Sequence, residues 1–375
     1  MTGRVLITGG AGFIGSRLAR RLHEAGQQVR ILDALVPQVH GASPQLPDWL
    51  TASGEVRVGD VRDRDVVAAA LDDVVAVVHL AAETGPAQSM YEIERYVGAN
   101  VQGTAVVLQA VLERRDRVRR LVVASSRAVY GEGKYLCAAC GPVVPDQRRD
   151  ERLKAGQWDP TCPRCGGALT PVATDEECAP KPTSIYAVTK LAQEQMAVAF
   201  GRAYGIPTAA LRYQNVYGGG QSLTNPYVGV LAIFTARIKS GKGLQVYEDG
   251  RIQRDFVHVD DVVAATQLAL TAPLADAHVL NVGSGRPVSI HEVANELCRT
   301  LGARDVAIDV TGQYRAGDIR HCYADLTQAG RVLGYAPQVS LAGGLRELCA
   351  AAEHAPIADK LDDASAELTR LGLLR

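Results

Sequence analysis

The sequence predicts an α/β fold in which helices cover both faces of a doubly wound parallel sheet. Short runs rich in Val and Leu, such as "RVLIT", "QVRILD" and "AVVHLAA", alternate with helical spacing over the first 125 residues. The alternation stops at Gly131, and residues 132–182 are rich in Pro, Gly, Cys and charge without clear periodicity. After this segment the chain shows both helical and strand-like stretches. We therefore expect a smaller, mixed C-terminal region beside the sheet and an insert within it.

Composition indicates an ordinary globular protein whose partners are small molecules. The 375 residues are 47% hydrophobic and 22% charged, which suits one large domain or two fused ones. A formal net charge of -1 offers no basic face for nucleic acid or an anionic membrane. The chain has no run of 18 apolar residues and enters a strand pattern almost at once, so we expect a cytoplasmic location.

The first strand is followed by the Gly-rich turn "TGGAGFIG", which opens the first helix at about Phe13. Gly9, Gly12 and Gly15 let backbone amides approach a pyrophosphate at the helix N-terminus. Asp33 closes the second strand 18 residues after Gly15, where a carboxylate holds a ribose 2'-hydroxyl and repels a 2'-phosphate. This context predicts a Rossmann-like domain that binds NAD rather than NADP, the alternative being an ordinary tight turn.

A second motif, "YAVTK", places Tyr186 and Lys190 four residues apart, on one face of a helix. A phenol with a pKa near 10 is ionised to only about 0.1% at neutral pH, so it needs a nearby cation to act as a base. Ser125 and Ser126 end the fifth strand, at the sheet edge where doubly wound folds bind ligands. These positions favour a catalytic role for Tyr186 and Lys190 beside the two serines, although such a Tyr and Lys alone often form a solvated helix face.

Six motifs together resemble the extended short-chain dehydrogenases/reductases that modify nucleotide sugars: "TGGAGFIG", "HLAA", "YAVTK", "LRYQNVYG", "RDFVHVDD" and "RAGDIRHCYAD". The resemblance covers nearly the whole chain apart from the Cys-rich insert. It implies that Tyr186 is the acid/base, that Lys190 tunes it and binds the nicotinamide ribose, and that Ser126 hydrogen-bonds the reacting hydroxyl. It further implies a nucleotide-diphosphate sugar as substrate and a homodimer.

The motifs and the resemblance give two sets of expected binding residues. Those expected to bind the cofactor are Gly9, Gly12, Phe13, Ile14, Gly15, Asp33, Asp60, Val61, Leu80, Ala81, Ala82, Asn100, Tyr186 and Lys190. Those expected to bind the substrate are Glu83, Ser126, Arg127, Asn215, Arg254, Arg315 and Asp318. Arginine is suited to paired contacts with phosphate oxygens, so arginines fit a diphosphate substrate.

Departures from the family pattern help to choose the reaction. Arg127 and Ala128 stand where the family's 4,6-dehydratases have an Asp and a Glu, so dehydration is disfavoured. Within the family the chain is most similar to the dTDP-L-rhamnose 4-epimerases, which implies conversion of dTDP-L-rhamnose to dTDP-6-deoxy-L-talose. Gln214, where relatives usually have Phe, weakens that substrate assignment.

Other functions stay open at this stage. A UDP-hexose or UDP-uronate 4-epimerase or a decarboxylase would use the same transient oxidation. A non-catalytic NAD-sensing protein that binds a partner through the insert is an alternative from another class. The complete set of Ser126, Tyr186 and Lys190 argues against that last alternative.

The insert contains two Cys-x-x-Cys pairs, Cys137 with Cys140 and Cys162 with Cys165. Reduced pairs at near zinc-ribbon spacing indicate a structural zinc, because four thiolates leave no open position for a substrate. The alternative is four reduced cysteines in a mobile loop. The segment offers few large apolar side chains to order it by burial. Because the insert follows Ser126 and precedes Tyr186, we expect it beside the sugar pocket.

The expected domain division follows these boundaries. Residues 1–214 would form the NAD-binding domain, containing the zinc-binding insert at 132–182. Residues 215–375 would form the substrate-binding region, in which about 255–272 pack back on the first domain.

Overall fold

The computed structural model of the chain describes residues 3–227 and 229–375. Within those residues the strands, numbered in chain order, are β1 (Arg4–Thr8), β2 (Val29–Asp33), β3 (Glu55–Val58), β4 (Val74–His79), β5 (Arg120–Ser126), β6 (Tyr135–Cys137), β7 (Gly141–Val143), β8 (Leu169–Pro171), β9 (Thr208–Tyr213), β10 (Asn215–Tyr217), β11 (Leu244–Val246), β12 (Gln253–His258), β13 (His278–Val282), β14 (Pro287–Ser289), β15 (Ile308–Val310) and β16 (His321–Cys322).

The α-helices of the same residues, numbered likewise, are α1 (Phe13–Glu24), α2 (Pro37–His40), α3 (Asp48–Ser53), α4 (Arg64–Ala70), α5 (Pro86–Ser89), α6 (Ile93–Tyr96), α7 (Gly103–Leu112), α8 (Asp150–Lys154), α9 (Ile185–Tyr204), α10 (Val230–Lys239), α11 (Val259–Thr271), α12 (Ile290–Thr300), α13 (Thr327–Leu333), α14 (Leu341–Ala351) and α15 (Leu361–Arg370). A π-helical turn, Val97–Gln102, joins α6 to α7, and a 3-10 turn, Arg127–Tyr130, follows β5.

The central sheet has seven strands in the order β13-β9-β5-β4-β1-β2-β3, and every pair in it is parallel. Its inner strands are buried along nearly their whole length, which explains why the sequence shows continuous apolar runs instead of alternation. The strand order reverses direction beside β1, so a crevice opens at the carboxyl ends of β1 and β4. The predicted Rossmann-like fold is confirmed.

Helices cover both faces of this sheet. Helix α1 presents Leu18, Ala19 and Leu22 to one face, where they pack with apolar side chains of α11, while Arg20 and Arg21 point to solvent. Helices α4, α7 and α9 cover the other face. Each fully buried Leu contributes about 1.5–3 kcal/mol relative to exposure, so both layers stabilise the fold.

The C-terminal part of the chain contributes to the sheet and also builds a second layer. Strand β13 pairs with β9 and forms one edge of the seven-stranded sheet. The range 215–375 therefore contributes this strand, as well as helix α11, to the part of the protein built around that sheet. The remaining strands form a small sheet in which β12 pairs with β10, β14 and β16, and a separate pair, β11 with β15. Strand β12 therefore links the large sheet's crevice to the C-terminal layer.

The insert has regular structure that its sequence pattern did not reveal. Strands β6, β7 and β8 form a three-stranded antiparallel sheet in the order β7-β6-β8, and α8 follows β7. Each strand has only three residues, which is too short for alternation to be read from sequence. Its small core contains Tyr135, Val143 and two of the four cysteines.

Candidate active site

The Gly-rich turn between β1 and α1 brings backbone amides to the sheet edge. Gly9 has a φ of +67°, and a Cβ there would lie 2.7 Å from the backbone nitrogen of Ala81. A Cβ at Gly15 would lie 2.4 Å from the carbonyl oxygen of Gly9. Because no side chain caps the N-terminus of α1 at Gly12, its free N–H groups can bind an anion such as a pyrophosphate.

Asp33 lies at the end of β2 beside this turn. Its carboxylate accepts hydrogen bonds from the backbone N–H groups of Ala11 and Leu35, each at 2.9 Å, and His40 lies 3.6 Å away. Burial raises the pKa of the Asp33 carboxyl, but the His40 side chain and the two N–H groups outweigh it, so the net pKa is lowered. The carboxylate is thus fixed and charged beside the Gly-rich turn.

The expected binding residues converge on one cavity of about 1690 Å³. This is larger than the roughly 300–1,000 Å³ of a typical small-molecule site, so it can hold a dinucleotide and a second ligand together. The expected residues that line it are Gly9, Gly12, Phe13, Ile14, Gly15, Asp33, Asp60, Val61, Leu80, Ala81, Ala82, Glu83, Ser126, Arg127, Tyr186, Lys190, Asn215, Arg254, Arg315 and Asp318.

Asn100 is the one expected cofactor residue that does not line the cavity. It lies fully buried in the π-helical turn, where its side-chain oxygen accepts from the N–H of Glu83 at 2.7 Å and its amide donates to the carbonyl of Glu83 at 3.1 Å. The same amide donates to Thr189 at 2.9 Å. Asn100 therefore supports the cavity wall indirectly, through its hydrogen bonds to the backbone of Glu83.

Ser126 ends β5, Tyr186 and Lys190 lie one turn apart near the start of α9, and all three line the cavity. The Ser184 side chain caps α9, and the Tyr186 N–H donates to the Ser89 hydroxyl at 2.9 Å, which fixes the first turn of the helix. Burial raises the pKa of the Tyr186 phenol, while hydrogen bonding to Ser126 and the charge of Arg127 oppose that rise. Because its pKa is raised, the Tyr186 phenol is protonated at neutral pH, and its polar neighbours are Ser126 and Arg127.

Lys190 is held by a buried polar network that sequence reasoning missed. Its ammonium donates to the side-chain oxygen of Gln193 at 2.6 Å, and the Gln193 amide donates to Thr104 at 2.7 Å. His79 lies 3.0 Å from the same Thr104 hydroxyl. Burial lowers the pKa of Lys190 to about 7, although the charge of Glu194 opposes it. The signals available were the His of "HLAA" and the Gln three residues after Lys190.

Arginines dominate the opposite wall of the cavity. Burial lowers the pKa of Arg254 to about 9, and its guanidinium donates to the carbonyls of Ile319 at 2.7 Å and Arg320 at 2.9 Å. The Arg315 side chain donates to the Asp318 carboxylate at 2.9 Å. Among the described residues Arg127 has no ion-pair partner, so its charge faces the cavity uncompensated.

The four insert cysteines also converge, away from this cavity. The Sγ atoms of Cys137, Cys140, Cys162 and Cys165 all lie within 4.8 Å of one another, and those of Cys137 and Cys165 are 3.6 Å apart. Zinc–sulfur bonds of about 2.3 Å in a tetrahedron place sulfurs roughly 3.8 Å apart, so the four thiols fit a zinc ion.

Comparison with known proteins shows the family. A model described as the NAD dependent epimerase/dehydratase family matches residues 5–160 and 164–283. A dTDP-L-rhamnose 4-epimerase of Burkholderia thailandensis is 40% identical over 347 residues, 92% of this chain and 93% of that protein. A putative UDP-glucose 4-epimerase of Methanocaldococcus jannaschii is 30% identical over 347 residues, 92% of this chain and 96% of that one. The chain belongs to the NAD-dependent epimerase/dehydratase family, which confirms the predicted enzyme class.

Solved structures share the fold. MoeE5 in complex with UDP-glucuronic acid and NAD is 30% identical with a TM-score of 0.73, covering 94% of this chain and 99% of its own. The UDP-glucose 4-epimerase of Thermotoga maritima with UDP-glucose is 29% identical with a TM-score of 0.74, covering 93% of this chain and 98% of its own.

No helix in the described part of the chain is both long and apolar enough to cross a membrane.

Proposed function

We propose that this enzyme is an NAD-dependent nucleotide-sugar 4-epimerase that converts dTDP-L-rhamnose to dTDP-6-deoxy-L-talose. The observation that carries the proposal is that Ser126, Tyr186 and Lys190 line one cavity large enough for a dinucleotide and a nucleotide sugar. The 40% identity to a dTDP-L-rhamnose 4-epimerase supports the choice of substrate. MoeE5, which binds NAD together with a nucleotide sugar, supports the choice of cofactor.

In the proposed reaction Tyr186 removes the proton of the C4 hydroxyl, and Ser126 holds the oxygen by a hydrogen bond. NAD supplies a reversible two-electron acceptor for the hydrogen on C4. Lys190, in its protonated form, favours the ionised phenol by its charge. The 4-keto sugar turns over in the cavity, and Tyr186 returns the proton after the opposite face has been reduced. The steps balance, so no net oxidation occurs.

The binding residues take roles that follow from their chemistry. The amides of the Gly9–Gly15 turn receive the pyrophosphate of NAD, and Asp33 accepts from the adenosine ribose, which disfavours NADP. Arg254 and Arg315 pair with the substrate diphosphate, and Asn215 binds beside them. The other expected cofactor and substrate residues form the remaining walls.

Two further parts of the proposal concern assembly. Cys137, Cys140, Cys162 and Cys165 bind one structural zinc with no water ligand, which staples the insert. The protein is a cytoplasmic homodimer, with residues 1–214 binding NAD and residues 215–375 supplying most substrate contacts.

A second candidate substrate is a UDP-uronate, because the charge of Arg127 faces the cavity without a partner among the described residues. A carboxylate on the sugar would pair with that guanidinium, whereas the neutral ring of rhamnose would not. The complex of MoeE5 with UDP-glucuronic acid supports this candidate.

The test is to incubate the enzyme with dTDP-L-rhamnose, UDP-glucuronate, UDP-glucose and dTDP-glucose in deuterated water and to identify products by NMR. We expect dTDP-6-deoxy-L-talose whose C4 keeps its original hydrogen, because the hydrogen removed is the one returned. Tyr186→Phe is the matched inactive control. Turnover of UDP-glucuronate alone would select the second candidate, and a keto-deoxy product from dTDP-glucose would refute epimerisation.

A further inference from the structure

The Cys-rich insert is tied to the substrate side of the cavity by one buried side chain, Arg148. This residue lies between the two Cys pairs, and its side chain is only 3% exposed. Its Nε donates to the Glu132 carboxylate at 2.9 Å, and Nη1 lies 2.9 Å from the Glu248 carboxylate. Its Nη2 donates to the backbone carbonyl of Asp318 at 2.9 Å. One guanidinium thus joins the insert to two separate segments of the C-terminal region.

Arg148 belongs to a closed ring of four buried charges. Glu132 also accepts from the backbone N–H of Arg320 at 2.6 Å, and the Arg320 guanidinium lies 2.9 Å from Glu248. The side chains of Glu132, Glu248 and Arg320 are each exposed by 2% or less. Removing Arg148 leaves the buried Glu132 carboxylate without an ion-pair partner among the described residues, so Arg148 helps to hold these chain segments in one arrangement.

The segment that the ring holds carries proposed diphosphate ligands. Three consecutive backbone carbonyls, at 318, 319 and 320, accept hydrogen bonds from guanidinium groups. Arg148 binds the first carbonyl, and Arg254 binds the other two. Arg315 belongs to the same segment, and its side chain donates to the Asp318 side chain. The positions of Arg254 and Arg315 therefore depend on a backbone that Arg148 fixes from the insert side.

The same segment also contacts the start of the catalytic helix. The Thr183 hydroxyl donates to the carbonyl of Gly317 at 2.8 Å. Gly317 has a φ of +83°, and a Cβ there would lie 2.8 Å from the carbonyl oxygen of Thr183. Because Thr183 directly precedes the Ser184 cap of α9, the segment 315–320 lies between the insert's anchor and the helix that carries Tyr186.

We propose that Arg148 is a positioning residue for nucleoside diphosphate binding: it couples the Cys-rich insert to the segment 315–320 and so places Arg254 and Arg315. This rests on the proposed function, since it concerns the diphosphate of that substrate. It assigns the insert a role in binding that the four cysteines alone do not provide. The insert acts on the site through a salt-bridged contact and without touching the sugar.

The test compares Arg148→Met with Arg149→Met, whose neighbouring arginine is exposed. Calorimetry with dTDP and with UDP, and separately with NAD, measures binding without any turnover. We expect Arg148→Met to weaken diphosphate binding by about tenfold or more, the range for losing a hydrogen bond to a charged group, while NAD affinity changes less than about twofold. Arg149→Met should match the unaltered enzyme in both affinities.

A second readout keeps the outcome interpretable. Hydrogen exchange of backbone amides at 315–321 should accelerate in Arg148→Met even without ligand. If Arg148→Met does not fold, Arg148→Lys, which keeps the charge but not the forked contacts, should show a smaller loss of diphosphate affinity. A folded variant with unchanged diphosphate affinity and unchanged exchange would overturn the coupling. Weak diphosphate binding by the unaltered enzyme, with accelerated exchange in the variant, would instead refute the proposed substrate class and leave the coupling standing.

Discussion

At the scale of single residues, Tyr186 decides whether the proposed chemistry occurs. Its phenol lies beside Ser126 at the sheet edge, and burial raises its pKa, so it is a proton donor and acceptor only with the help of nearby charges. The Arg127 charge and the Ser126 hydroxyl oppose the rise. The net pKa is nevertheless raised, so the acid/base role that we propose for Tyr186 depends on further positive charge at the site, such as that of a protonated Lys190.

Tyr186→Phe should fold and bind NAD but lose at least about two orders of magnitude in kcat, the usual range for removing a general acid/base. The ring is kept, so the packing against Tyr96 at a centroid distance of 6.4 Å should persist. Steady-state kinetics and NAD titration give the result. Tyr204→Phe, an exposed tyrosine on the same helix, should have normal kcat. Near-normal turnover by Tyr186→Phe would contradict the mechanism.

Lys190 should make the stability of the NAD-free enzyme depend on pH. Burial lowers its pKa to about 7, against about 10.4 in the unfolded chain. Between these values the unfolded chain binds one more proton than the folded one, so the free energy of unfolding rises with pH across this window. Lys190→Met lacks this contribution. Its stability relative to the unaltered enzyme should be greatest near pH 7 and should fall by about 1.4 kcal/mol per pH unit towards pH 10.

Urea unfolding of both proteins at intervals across the window measures this difference. Lys239→Met, which replaces an exposed lysine, should differ from the unaltered enzyme by an amount independent of pH. A pH-independent difference for Lys190→Met as well would show that Lys190 stays charged in the folded protein.

Particular residues show how far sequence reading could go. Gly9 and Asp33 sit in motifs whose spacing places them at one sheet edge, the family resemblance added Tyr186 to them, and all three line the cavity. By contrast, the contact between Glu132 and Arg320 joins positions 188 residues apart, and nothing in local spacing encodes it. Gln193 was missed for another reason: polar residues on helices are usually solvated, so its burial became visible only with the fold.

At the scale of elements, the Cys-rich insert combines two stabilising devices. Its three strands are short and its core is small, so burial of apolar surface contributes little. The first is the zinc that we propose for the clustered thiols, and the second is the buried ring around Arg148. The Cys spacing in the sequence predicted the zinc site. The ring around Arg148 could not be predicted in this way, because two of its four residues lie outside the insert.

Cys162→Ser should abolish zinc binding and loosen the insert. One zinc per chain is expected in the purified protein and about none in the variant, because three thiolates bind the metal much more weakly. Sugar-nucleotide affinity should fall more than NAD affinity, since the insert borders the segment 315–320 and not the Gly-rich turn. Metal analysis and calorimetry with both ligands measure these effects.

Cys298→Ser is the matched control, because that cysteine is buried in the C-terminal core outside the thiol cluster. It should keep its zinc. The absence of zinc from the unaltered protein would contradict the proposed metal site. An unchanged sugar-nucleotide affinity in a zinc-free Cys162→Ser would show that the metal does not support substrate binding. In either case only the ring around Arg148 would remain to stabilise the insert.

At the scale of the whole molecule, helix α6, the π-helical turn that follows it and helix α9 expose apolar side chains in the described part of the chain. Ile93 and Val97 are 48% and 42% exposed, and Val188 is 50% exposed on the adjoining helix. The same helices lead to Asn100 and carry Tyr186, so a partner on this face would brace the catalytic wall from behind. The proposed homodimer offers a second copy as that partner, because a two-fold axis pairs the same patch with itself.

The double variant Val97→Asp/Val188→Asp should therefore be monomeric, because a dimer would have to bury unpaired carboxylates at the contact. Val310→Asp is the matched control: Val310 is 49% exposed at the end of β15, away from α6 and α9, and its replacement should leave the dimer intact. Light scattering of the three proteins at equal concentration gives their masses. We expect the monomer to lose activity severalfold through the weakened support of α9, with zinc content unchanged. A double variant that remains dimeric would place the interface elsewhere, and an unaltered protein that is monomeric would refute the homodimer.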